Sequence, residues 1–132
     1  MGICRSVSKQ ELGYFFIFAV SMDPSLLLVQ RCRLLTHAIY MLCRQTALLQ
    51  DKPLAHRLKH CCWQLLTYTI QGHLELRSQD DCAKQMGIYI HLISWYIYGA
   101  HSLGYISYAQ YYQRLHLCKE IAGSHLMASD VT

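Results

Sequence analysis

The chain has 132 residues, enough for one domain with a sizeable buried core. Hydrophobic residues make up 53% and charged residues only 15%, against roughly 25% charged in an average soluble protein, so a partner or further copies of the chain are expected to cover apolar surface. The formal charge of +4 is a mild basic excess, compatible with nucleic acid. The seven cysteines are odd in number and show neither a CxxC pair nor small-scaffold spacing. That excludes a disulfide framework and points to reduced, buried thiols in a cytoplasmic protein.

Residues 1–22 differ from the rest. Arg5 and Lys9 precede an apolar run, Leu12–Val20, and Ala19-Val20-Ser21 resembles a signal-peptidase site. The run is too short to span a bilayer as a helix. Three readings stay open: a signal segment, an apolar segment packed on the domain, or a tail ahead of a true start at Met22. The last is favoured, and no membrane role is expected.

Asp23-Pro24 reads as an N-cap followed by proline at the first helical position. The first helix is expected from Pro24 to about Leu49, with Leu28, Cys32, Leu35, Ile39, Leu42, Thr46 and Leu49 on its inner face. Asp51 or Lys52 caps the second, Pro53 opens it, and it runs to about Leu76. Its stripe is Leu54, Leu58, Cys61, Leu65, Tyr68, Gly72 and Leu76, with Trp63 and Ile70 widening the apolar face. Gly72 fits a close helix crossing.

Asp80 or Asp81 is the expected cap of the third helix, which runs to Leu103 with Ala83, Met86, Ile90, Ile93, Ile97 and Ala100 inward. In LGYIS, Gly104 supplies a positive φ to close that helix. Ser107 then caps the fourth, and Gln110 completes a capping box. The fourth helix carries Tyr108, Tyr111, Leu115, Cys118, Ala122 and Leu126 to about Met127, and residues 128–132 form a fraying tail. No strand pattern or low-complexity segment interrupts the series. The fold expected for residues 23–127 is therefore all-α: an up-down-up-down antiparallel four-helix bundle with short loops.

Chemistry is thinly represented. His56 and His60 share a helix face, as a helical zinc pair would, but Arg57 stands where a metalloprotease motif has glutamate. No nucleophile motif, carboxylate pair or glycine-rich phosphate loop is present, so no enzyme, no catalytic residue, no metal and no cofactor is expected. Arg31, Arg33, Arg44, Arg57, Lys59 and Arg77 are candidate phosphate contacts. Seven of ten tyrosines lie between Tyr89 and Tyr112, with Trp95 among them. Such a band favours protein interfaces, and Tyr89, Trp95, Tyr96 and Tyr112 are the candidates for self-association or a partner.

The order of these features resembles a known superfamily. The carriers are His37-Ala38-Ile39-Tyr40, the break with proline, Leu54–Ile70, and the LGYIS turn followed by Tyr111, Leu115, Glu120 and Ile121. Together they are similar to the four-helix bundles that comprise the accessory variability determinant (Avd) proteins of diversity-generating retroelements and the proteins encoded in 23S ribosomal-RNA intervening sequences. The latter group typically carries Pro-x-Asn-Ile-Ala-Glu-Gly after the second helix. Here Tyr68-Thr69-Ile70-Gln71-Gly72-His73 stands instead, which favours the Avd side. The resemblance implies a cytoplasmic, non-enzymatic homo-oligomer, a pentamer in that group. It would bind a reverse transcriptase and its template RNA, or an RNA/DNA hybrid, in support of mutagenic complementary-DNA synthesis. The alternative is an oligomeric protein-interaction bundle of the intervening-sequence type without direct nucleic-acid contact.

Overall fold

The computed structural model describes residues 23–130, with side chains described to residue 124; the expectations for residues 1–22 lie outside them. The described residues fold into a helical bundle: α1 (Pro24–Gln45), a 3-10 turn (Ala47–Gln50), α2 (Lys52–His73), α3 (Gln79–Ser102) and α4 (Tyr108–Asp130). α1 packs against α2 and α4, and α3 packs against the same two, so the four helices close around one core.

The caps follow from side-chain chemistry at each start. Asp23 accepts from the Ser25 backbone N–H at 2.9 Å and Asp51 from that of Leu54 at 3.1 Å, each satisfying a donor that the helix leaves orphaned. The capping box of α4 forms as expected: the Gln110 N–H donates to Ser107 Oγ at 3.1 Å, and the Ser107 N–H donates to Gln110 Oε1 at 2.9 Å. α3 corrects the expectation. Its cap is Ser78, which accepts from the Asp81 N–H at 3.2 Å, leaving Asp80 and Asp81 in the first turn to complement the helix dipole.

Two helix ends share one device. At the end of α3, the Tyr105 N–H reaches Ala100 O and the Gly104 N–H reaches His101 O, a Schellman motif with Gly104 at φ 78°. α2 ends the same way through Leu76 to Gln71 and Glu75 to Gly72, but here Glu75 occupies the left-handed position at φ 57°. That closure stops α2 at His73 and leaves Leu76 exposed rather than on the inner stripe.

The core is built by the stripes, with local corrections. Cys32, Leu35 and Ile39 of α1, Leu58 and Leu65 of α2, and Ile93 and Ile97 of α3 are fully buried, and truncating any of the large ones to alanine would cost about 2–5 kcal/mol. The first helix ends at Gln45, four residues early, because Thr46 turns its hydroxyl onto Leu42 O at 2.7 Å and accepts from the Leu48 N–H. The 3-10 turn that follows rotates the register: Leu48 enters the core and Leu49 is 58% exposed. Trp63 and Ile70 also depart from expectation, since both are exposed, as is Tyr108 on α4. Gly72 faces α3, where a Cβ would stand 3.5 Å from the Cys82 side chain, an ordinary van der Waals contact that does not require glycine.

All six described cysteines are buried and unpaired. Burial pushes the Cys32 thiol up to about 12 and the Cys118 thiol to about 11. Cys62, which lies among Cys32, Cys43, Cys61 and Cys118, is raised further in the same direction. α1 is long and apolar enough by composition to cross a membrane, but in this fold it supplies eight buried side chains to the bundle.

Candidate nucleic-acid interface

Charge is unevenly divided along the chain. α1 carries Arg31, Arg33 and Arg44, and α2 carries Lys52, Arg57 and Lys59; neither helix contains an aspartate or glutamate. Among the described residues, the acids sit at caps, in the α2–α3 turn, and on α3 and α4. Among the described residues, no carboxylate pairs with Arg33, Arg44, Arg57 or Lys59. A packed helix pair with cations and no internal acids presents a positive face, the kind a polyanion can contact.

A groove of about 780 Å³ opens on this face between α1 and α2. Its α1 wall carries Arg33, His37, Tyr40 and Arg44, spaced four, three and four residues apart, so all four project along one side of the helix. Leu34, Met41 and Leu66 add apolar lining, and Trp63 of α2 stands opposite Tyr40. The Trp63 indole N–H donates to the Tyr40 hydroxyl, which fixes the indole while leaving the residue 53% exposed. Lys59 Nζ sits 5.2 Å from the Tyr40 ring centroid, a cation–π contact that brings a third positive charge to the rim.

The six candidate phosphate contacts are thus divided. Arg33 and Arg44 line the groove and Lys59 borders it. Arg57 is exposed on α2 but does not line it. Arg31 turns toward α4, where its guanidinium donates to Ser124 Oγ. Arg77 lies in the α2–α3 turn, paired with Asp81 at 3.0 Å and resting over the Tyr68 ring. Tyr40, His37 and Trp63 were not singled out in the sequence as a group. The signal that finds them is the spacing of Arg33, His37, Tyr40 and Arg44, read together with the acid-free stretch on either side of Asp51. Arg114 of α4 also escaped notice. It is half-buried, reaches Ala38 O of α1, and burial lowers its pKa.

The aromatic candidates divide as well. Trp95 is 60% exposed and Tyr112 is exposed too, whereas Tyr89 stacks on Tyr68 at 6.0 Å and Tyr96 packs against the core. The exposed pair belongs to a chain of ring contacts running from His91 through Trp95, Tyr98 and Tyr111 to Tyr108 and Tyr112. His101 stacks on Tyr111 within it, at 5.2 Å and 7°. This band covers the seam of α3 and α4.

Among the described residues, no group of three or more His, Cys, Asp or Glu side chains stands close enough to hold a metal ion. The raised thiol pKa values leave the buried cysteines protonated and poorly nucleophilic. Comparison with known proteins returns no matching family, no matching curated protein and no matching solved structure.

Proposed function

We propose that this chain is a cytoplasmic, non-enzymatic accessory protein of a retroelement reverse transcriptase, one that binds the polymerase and its template RNA. The observation that carries this reading is the cationic, acid-free α1–α2 face, with Arg33, Arg44 and Lys59 gathered at one aromatic groove. Phosphate contacts of this kind position a nucleic acid without reading its sequence. The resemblance of the LGYIS turn and its flanks to Avd-type bundles supplies the polymerase partner. It also supplies the oligomer, a pentamer in that group, with the exposed aromatic band of α3 and α4 as its interface.

The up-down-up-down arrangement belongs to the same proposal. Ser25 of α1 meets His73 at the far end of α2 at 2.7 Å. The Tyr105 hydroxyl donates to Asp51 at 3.1 Å, which ties the end of α3 to the start of α2. Arg31 and Ala38 meet Ser124 and Arg114 of α4 in reverse order. Each pairing supports antiparallel neighbours.

The test is co-purification of the tagged chain with its polymerase and RNA, alongside anisotropy titrations with labelled RNA across a salt series. The reading expects a stable ternary complex, and RNA affinity that falls steeply with salt and with Arg33→Glu plus Arg44→Glu. Salt-independent binding, or none at low salt, counts against it. The aromatic band favours one second reading, a protein-interaction bundle of the intervening-sequence type. That reading predicts protein capture that survives both substitutions, with no RNA retained.

A further inference from the structure

We propose that the α1–α2 groove is a single-strand site, in which an unpaired base stacks on Trp63 while Arg33 and Arg44 hold phosphates to either side. This rests on the nucleic-acid reading of the same groove and goes further by naming the form of nucleic acid it takes. The groove combines apolar lining from Leu34, Met41 and Leu66 with the cations Arg33 and Arg44. A duplex keeps its bases stacked inside and offers only phosphates to a side-on contact, so it would leave Leu34, Met41 and Leu66 unfilled. A single strand offers both a phosphate chain and free base faces, and stacking on an aromatic ring tolerates any base.

The two rings divide the work. Tyr40 has Lys59 over its face. Trp63 is the more exposed ring, and its bond to the Tyr40 hydroxyl fixes its orientation before any ligand arrives, so stacking costs little further side-chain entropy. Arg33 and Arg44 are eleven residues apart on one side of α1, about 17 Å at 1.5 Å per residue, with Trp63 across the groove from the Tyr40 segment between them. An acidic peptide would match the charges but make no use of the exposed indole face, which is why a single-stranded nucleic acid fits better.

The chain has only two tryptophans, so Trp95→Phe makes Trp63 the sole indole reporter, and the parent chain followed by anisotropy alone gives the midpoint this variant must reproduce. The experiment titrates that variant at low salt with a labelled oligouridylate, a duplex of equal length and an oligoglutamate peptide, reading Trp63 emission and anisotropy together. The proposal expects emission quenched by the single strand with the same midpoint as the anisotropy change, and at least tenfold weaker duplex binding. In the parent chain, Trp63→Ala should weaken single-strand affinity by about 5- to 100-fold and leave duplex binding unchanged, while Trp63→Phe restores most of the loss. Circular dichroism melts establish that the variants fold.

Binding without quenching, equal losses for both forms, or no effect of Trp63→Ala overturns the stacking site. If Arg33→Glu plus Arg44→Glu still abolishes RNA binding, the broader nucleic-acid reading survives that failure. Quenching by the peptide and not by the oligonucleotide overturns the proposal in favour of an acidic protein partner. Absence of any oligonucleotide binding at low salt overturns both the site and the reading beneath it.

Discussion

The buried thiols make alkaline pH a specific threat to this fold. An unfolded thiol ionises near 9.0, whereas burial holds Cys32 at about 12 and Cys118 at about 11. Between those values the folded chain keeps protons that the unfolded chain releases. Stability is therefore fully present below about pH 9 and is lost as pH rises toward the folded values. At pH 10.5 each of the two thiols would cost about 2 kcal/mol, at about 1.4 kcal/mol per pH unit, and Cys62 adds a loss of the same sign. A total of about 4 kcal/mol or more is a large part of the roughly 5–15 kcal/mol available to a domain. With a urea dependence of about 1–3 kcal/mol per M, the unfolding midpoint should fall by at least 1–2 M between pH 8.5 and 10.5. The control is Cys32→Ala/Cys62→Ala/Cys118→Ala, less stable at pH 8 but with a much flatter pH dependence. Tyr105, whose hydrogen bond to Asp51 raises its pKa, acts in the same direction above pH 10 and is separated by Tyr105→Phe. If the triple variant loses stability with pH as steeply as its parent, these three thiols are not the cause and the reasoning fails.

The two Schellman ends predict opposite responses to glycine. Glu75→Gly should raise the urea-derived stability by about 0.5–1 kcal/mol by relieving a left-handed glutamate, whereas Gly104→Ala should lower it by about 1 kcal/mol; the same sign for both would refute the assignment. Ser107→Ala removes one half of the capping box and should cost about 1 kcal/mol in the same assay, with Ser107→Asp recovering most of it. For RNA, phosphate contacts from all three of Arg33, Arg44 and Lys59 would give a slope of log affinity against log salt near −2, at about −0.7 per contact for single strands. Arg33→Gln plus Arg44→Gln should bring that slope close to −0.7, and an unchanged slope would move the contacts elsewhere.

Caps and stripes were legible because they depend on neighbours in sequence. Asp23, Ser107, Gln110 and Gly104 do locally what their residue types predict, and the 3.6-residue period identifies Leu35, Ile39, Ile93 and Ile97 as core. Failures occur where a side chain competes with the period. Thr46 looks like a tolerable stripe position, yet its hydroxyl bonds back to Leu42 O and ends the helix, so Leu48 and Leu49 exchange places. Trp63 reads as core by hydropathy, but its position relative to α1 is a tertiary fact, and its N–H finds Tyr40 at the surface. The groove was half legible. Its cations were named one by one, but the whole-chain charge of +4 conceals that α1 and α2 hold cations without acids.

That concealed asymmetry has a counterpart in the other half of the bundle. From Gln85 to Gln113 the chain contains no Asp, Glu, Lys or Arg, and this stretch carries the exposed rings of Trp95, Tyr98, Tyr108 and Tyr112. A solvated helical face ordinarily carries charges, so their absence over this length needs a physical reason. Charged side chains are depleted at the centre of protein interfaces and aromatic ones enriched, because a desolvated unpaired charge costs more than the contact returns. The α1–α2 face has the opposite composition, with cations and no acids within either helix. One bundle therefore presents two surfaces of opposite composition, a cationic one on α1 and α2 and an uncharged aromatic one on α3 and α4.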